Sequence, residues 1–105
     1  MKRYEVSFRP RAEADLLDLY SYISREAGTH TAGNYLGRLE AACLALENFP
    51  ERGTRRDDLL PGLRIMGFER RATIVFQVLE AEVVIIRVFY GGRDYERALR
   101  GEDQG

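Results

Sequence analysis

The sequence predicts an α+β domain, with an antiparallel helical hairpin packed on a small, antiparallel-rich sheet of about four strands. Three observations carry that prediction. A short N-terminal stretch alternates apolar and polar residues, two segments then repeat apolar residues at helical spacing, and three strand-like segments follow. The 105 residues leave room for one core, so residues 1–100 are read as a single domain and 101–105 as a frayed tail.

Tyr4, Val6 and Phe8 alternate with Glu5, Ser7 and Arg9, the period of a strand with one buried face. Pro10 ends it and suits a helix's first turn, where its missing N–H costs nothing. Ala12, Leu16, Leu19, Tyr20, Ile23 and Ala27 then form one helical stripe, and Gly28 is placed to close the helix in a left-handed conformation. Thr29 or Thr31 can cap a second helix. Its stripe is Ala32, Tyr35, Leu36, Leu39, Ala42, Cys43 and Leu46, extended by Phe49 and ended by Pro50. The short joint makes the two helices antiparallel, and Leu16, Leu39 and Leu46 are expected inside. Gly33 and Gly37 lower the second helix's propensity but let another backbone come close.

Pro50 to Pro61 reads as an irregular loop. Leu63 to Glu69 and Arg71 to Leu79 read as strands, the latter with Ala72, Ile74, Phe76 and Val78 on one face. Glu80 and Ala81 turn the chain into Glu82 to Tyr90, which is apolar on both faces and so is expected to be the central strand. Gly91 and Gly92 break it, and Asp94 to Arg100 suits a short terminal helix.

Composition narrows function. Sixteen cations, all arginine except Lys2, face 17 acids, for a net charge of −1. A protein that grips nucleic acid by its phosphates carries a large cationic excess, so strong direct nucleic-acid binding is not expected. Met1 to Arg11 is polar and charged, and no apolar run is long enough to span a bilayer. The expectation is a cytoplasmic protein with no membrane partner. Cys43, alone and within an apolar stripe, reads as a core thiol. His30 has no sequence-placed histidine or cysteine partner and reads as a solvated turn residue, so neither metal nor cofactor is expected.

The usual catalytic motifs are mostly absent. Asp57–Asp58 and Glu80…Glu82 are paired carboxylates in loops or turns, and Asp15 and Asp18 sit on the polar face of the first helix; solvated charge is the default for all of them. The arginines say more. Arg64, Arg70, Arg71, Arg87, Arg93 and Arg97 fall on the sheet or near its C-terminal end. Arg87 stands inside an apolar strand, where it needs either a carboxylate partner or a cationic groove open to water. Tyr90, Arg93, Asp94 and Tyr95 crowd that end, suited to contacting a partner or to capping the C-terminus.

These segments resemble the ParE branch of the RelE/ParE toxin superfamily over about 90 residues. "YEVSFRPRAEADLLDLYSYI" is similar to the family's first strand and helix. "ALENFPERGTRRDDLLPGLR" resembles its Pro-x-x-Gly loop leading to Gly62 and Arg64. "RATIVFQVLEAEVVIIRVFYGGRDYERAL" looks like its last hairpin and terminal turn. The resemblance implies the toxin of a type II toxin–antitoxin pair, inhibiting DNA gyrase by binding and with no reaction of its own. A cognate antitoxin, of ribbon-helix-helix type with a wrapping tail, would neutralise it. RelE-like relatives instead cleave mRNA on the ribosome, and an inactive partner-binding relative is the third alternative. The absence of lysine after Lys2, and of histidine in the final segment, departs from the ribonuclease pattern. Candidates for target contact are Arg64, Arg71, Arg87, Tyr90, Arg93 and Tyr95, none of them assigned as catalytic. Leu17, Tyr20 and Leu44 are candidates for antitoxin contact, since Leu17 and Leu44 lie off the main helical stripes.

Overall fold

Pro10 sets the first boundary: β1 (Glu5–Phe8) stops before it and α1 (Pro10–Ala27) begins on it. The computed structural model describes residues 3–91 and 95–102. Only Gly28 separates α1 from α2 (Thr29–Leu44). Its N–H donates to the Ser24 carbonyl and its own carbonyl accepts from Ala32, so one residue closes one helix and opens the next. Gly28 therefore has φ 95° with an extended ψ of 160°, not the left-handed helical closure expected. The threonine cap is also corrected. Thr29 is already helical, and the capping position belongs to Gly28, which has no side chain to offer.

α2 tightens into a 3₁₀ turn at Ala45–Glu47 before the chain leaves it. Leu46 stays fully buried, but Phe49 does not extend the buried stripe and is 63% exposed. The tighter turn advances each residue further around the axis and takes Phe49 out of phase with the core. Leu16, expected inside, is only half-buried at the core's margin, whereas Leu39 has no exposure.

The sheet has five strands in the order β1-β5-β4-β3-β2, with β3 (Leu63–Phe68), β4 (Ala72–Val78) and β5 (Glu82–Tyr90) forming an antiparallel meander. β1 adds to β5 in parallel. The fifth strand is the two-residue β2 (Thr54–Arg55), inside the segment expected to be irregular. Gly53 makes its approach feasible: φ is 74°, and a Cβ there would stand 2.1 Å from the Ile65 carbonyl oxygen. β4, not β5, is the middle strand, although β5 is interior and buried on both faces as its composition requires.

The hairpin α1–α2 covers one face, where Leu19, Leu36, Leu39 and Cys43 meet Ile74, Phe76, Val83 and Ile85. The other face is smaller, with Leu63, Val75 and Phe89 under a terminal helix α3 (Tyr95–Glu102). α3 sets Tyr95, Ala98 and Leu99 on that face at the i, i+3, i+4 spacing of one helix side. Among the described residues, no helix is long and apolar enough to cross a membrane.

Candidate functional site

A break in strand register decides what Arg87 does. Phe76 pairs with Ile85 and Val75 with Arg87, so Ile86 is an extra residue in β5. Without that bulge, strict alternation would put Arg87 on the same side as Val83 and Ile85, in the apolar core. With it, Arg87 lies over the Phe89 ring, 4.6 Å from its centroid. Its guanidinium makes a two-point ion pair with Asp15 of α1, Nε to Oδ2 at 2.8 Å and Nη2 to Oδ1 at 3.1 Å. Asp15 Oδ2 also accepts the Val88 N–H at 2.9 Å, where β5 runs past the end of β1. The arginine side chain is 3% exposed and the aspartate 9%, so this pair braces α1 against the sheet. Asp15 is thus not a solvated residue of the polar face. Its spacing was informative: it lies three residues after Ala12 and four before Leu19, both buried.

The remaining candidates are divided between surfaces. Arg71 and Tyr90 stand on the hairpin side, where both line one cavity. Tyr90 packs edge-on against Tyr22 and Tyr35, with both pairs of ring centroids 5.9 Å apart. Tyr95 belongs to the opposite face. There Arg56, which sequence reasoning passed over, donates to the Tyr95 hydroxyl at 3.1 Å and pairs with Glu96 and Asp58. Nothing in the periodicity could have singled out Arg56, because its contacts with Tyr95 and Glu96 span 39 and 40 residues. Arg64 reaches the Arg52 carbonyl beside β2. Arg93 and Asp94 lie outside the described residues.

The Asp57–Asp58 pair is engaged too, whereas Glu80 is exposed. Asp57 accepts the Gly62 N–H and pairs with Arg55, contacts that hold its carboxyl below the usual carboxylate range. Asp58 is held low by its hydrogen bond from Arg56. His30 is exposed in the first turn of α2 beside Asn34. The Cys43 thiol is buried, and burial pushes it up to about 12, which removes the thiolate needed for nucleophilic chemistry. Among the described residues, no cluster of histidine, cysteine or carboxylate side chains could hold a metal ion.

The antitoxin candidates mark a different surface. Leu17 is 70% exposed, Leu44 53% and Tyr20 39%. Leu17 and Tyr20 line a groove of about 550 Å³ between α1 and α2, with Leu16, Leu36, Gly33 and Gly37. A Cβ on Gly33 or Gly37 would meet nothing within 4 Å. Among the described residues, no backbone uses the close approach that the two glycines permit. Leu44 lies beyond the groove, at the end of α2.

A helical hairpin packs on a meander extended by a parallel N-terminal strand, and an apolar groove stays open between the two helices. The sequence profile of the ParE toxin of type II toxin–antitoxin systems (parDE) matches residues 6–95, and the chain belongs to that family. Among solved structures, it is similar to a chain of the chromosomal ParDE toxin–antitoxin system from P. aeruginosa. The two share 22% identity over 85% of this chain and 97% of the other, with a TM-score of 0.73. A chain of the toxin–antitoxin complex RelBE2 from Mycobacterium tuberculosis is also similar, at 22% identity over 89% and 97% with a TM-score of 0.61. Comparison with curated proteins finds no match.

Proposed function

We propose that this toxin disables DNA gyrase by binding it and does not cut RNA. The observation that carries the reading is the dispersal of its polar candidates. An RNA-cleaving site needs a proton-transfer group and several cations converging on one substrate. Here Arg87 is committed to Asp15, Arg71 and Tyr90 stand on the hairpin side, and Tyr95 lies on the other face. Membership of the ParE family and the net charge of −1 support the same reading. A binding toxin needs only shape and a few anchors, for which arginines and tyrosines are well suited.

The groove between α1 and α2 is the proposed seat of a neutralising antitoxin, whose amphipathic helix would lie along it. Gly33 and Gly37 support this. Each costs α2 about 1 kcal/mol against alanine, yet neither is required by any contact among the described residues. A closely seated partner backbone gives that sacrifice a purpose. The test is induction of the chain alone and beside the neighbouring reading frame, with DNA damage and translation followed in time. Damage should come first, and co-expression of a ribbon-helix-helix partner should abolish it. Early translational arrest would contradict the gyrase reading, and a harmless lone chain would contradict toxicity itself.

A further inference from the structure

A cavity of about 320 Å³ opens where α1 passes the end of β5. Asp15, Asp18, Leu19 and Tyr22 from α1 meet Val88 and Tyr90 from β5 around it. The groove between α1 and α2 draws on Leu16, Leu17 and Tyr20 instead. At about 100° of turn per residue, the two sets point to opposite sides of α1. A partner helix seated in the groove therefore does not fill this cavity.

Leu19 and Val88 make its floor and are buried, whereas Tyr22 is 46% exposed and Asp18 is exposed, so both are reached from solvent. Tyr22 and Tyr90 meet edge to face, with ring centroids 5.9 Å apart and planes at 60°, and so form an aromatic corner. Asp18 and Tyr22 are four residues apart on α1, the spacing that sets two side chains next to each other. The charges are uneven. Asp15 gives both oxygens to Arg87, so its charge is matched. The Asp18 carboxylate has no ion-pair or hydrogen-bond partner among the described residues, and none of them brings a cation to the walls. One negative charge thus stands unmatched beside two aromatic rings.

We propose that this cavity receives one arginine side chain of the toxin's protein target. Its volume lies at the lower end of the range of about 300–1,000 Å³ for small-ligand sites, which suits one side chain. One unmatched carboxylate calls for one positive charge. A divalent ion needs more oxygen ligands, and no group of three that could hold one exists among the described residues. A guanidinium fits better than an ammonium, being planar and less strongly hydrated. It can lie on a tyrosine ring while its N–H fork meets the Asp18 carboxylate. The target is the source because the antitoxin helix is assigned to the other side of α1. That choice of source rests on the reading that this chain acts by binding a target, whereas the chemistry of the cavity does not.

The test begins with an NMR titration of the full chain at constant ionic strength set with sodium chloride. It follows the Tyr22 and Tyr90 ring signals and the Asp18 carboxyl carbon. The probes are N-acetylarginine amide, N-acetyllysine amide and magnesium chloride. The arginine amide should give saturable shifts at all three residues and bind more tightly than the lysine amide, and magnesium should not saturate. Asp18→Asn keeps the shape and removes a charge that no contact of the fold uses. The domain should stay folded while arginine-amide affinity falls about tenfold. Three results would overturn the cavity's chemistry: no saturation by the arginine amide, equal affinity for the lysine amide, or unchanged affinity in Asp18→Asn. A second arm tests the source. Asp18→Asn should raise the inducer level needed for growth arrest by the lone chain and leave its affinity for the antitoxin unchanged. Undiminished toxicity or weakened antitoxin binding would overturn the target as source. A harmless parent chain would contradict toxicity itself and with it that source, while the titration still decides the cavity.

Discussion

The two faces of the sheet are covered by different means. On the hairpin face, α1 and α2 bury a continuous apolar cluster, braced at one edge by the enclosed Asp15–Arg87 pair. On the other face, the eight-residue α3 rests three partly buried side chains on Leu63, Val75 and Phe89. An isolated helix of that length is not stable in water. Arg56 ties it to the loop after β2 through Tyr95 and Glu96. Stability should therefore reside in the hairpin face, and α3 should be the first element to open.

The largest effect should come from splitting the buried pair. Arg87→Ala leaves the Asp15 carboxylate enclosed without its cation and should cost about 3–5 kcal/mol in urea unfolding. Replacing both residues, Asp15→Leu with Arg87→Met, should recover much of that loss. An Arg87→Ala variant as stable as the parent would remove the brace from this account. Next comes Leu39→Ala, at about 2–5 kcal/mol from lost burial and a cavity. Leu16→Ala should cost clearly less, because Leu16 is half-buried. Equal costs would mean that the hairpin margin is as tightly packed as its centre.

Effects on the α3 face should be smaller and local. Leu99→Ala should cost about 1 kcal/mol or less globally, yet abolish amide-exchange protection across residues 95–102. Loss of protection in α2 at the same time would merge the two faces into one unit. Acid should loosen the same face. Asp58 is held below the usual carboxylate range by Arg56, so its contribution is complete above an ordinary carboxylate pKa of about 4. That contribution fades as pH falls through the lowered value. The effect is modest, because Asp58 is exposed. Protection of α3 should therefore decline below about pH 4 while that of the hairpin persists. Smallest of all, Gly37→Ala should stabilise the free toxin by at most about 1 kcal/mol while weakening antitoxin binding. Tighter antitoxin binding by that variant would move the partner elsewhere.

Most of the fold was legible because its elements obey short periods. The stripes of α1 and α2 and the alternation of β1 and β4 each fix which face is buried within a few residues. Errors fell where one element's geometry depends on another. Gly28 serves two helices at once, β2 exists only because β3 passes beside Gly53, and the bulge at Ile86 is a matter of pairing. The candidate surfaces were legible in a different way. Leu17 and Leu44 announced their exposure by leaving the stripe, but the Asp18 cavity depends on α1 meeting the end of β5. Composition raised the arginines as a group. Only tertiary contacts distinguish Arg87, enclosed with Asp15, from Arg71, which faces a cavity.

Purified gyrase separates the binding toxin from the ribonuclease. Toxin added to a supercoiling reaction with relaxed plasmid should suppress product formation, while mRNA in a ribosome-programmed extract stays intact at the same toxin concentration. Unimpaired supercoiling together with codon-registered mRNA cleavage would contradict the account and make this chain a ribonuclease.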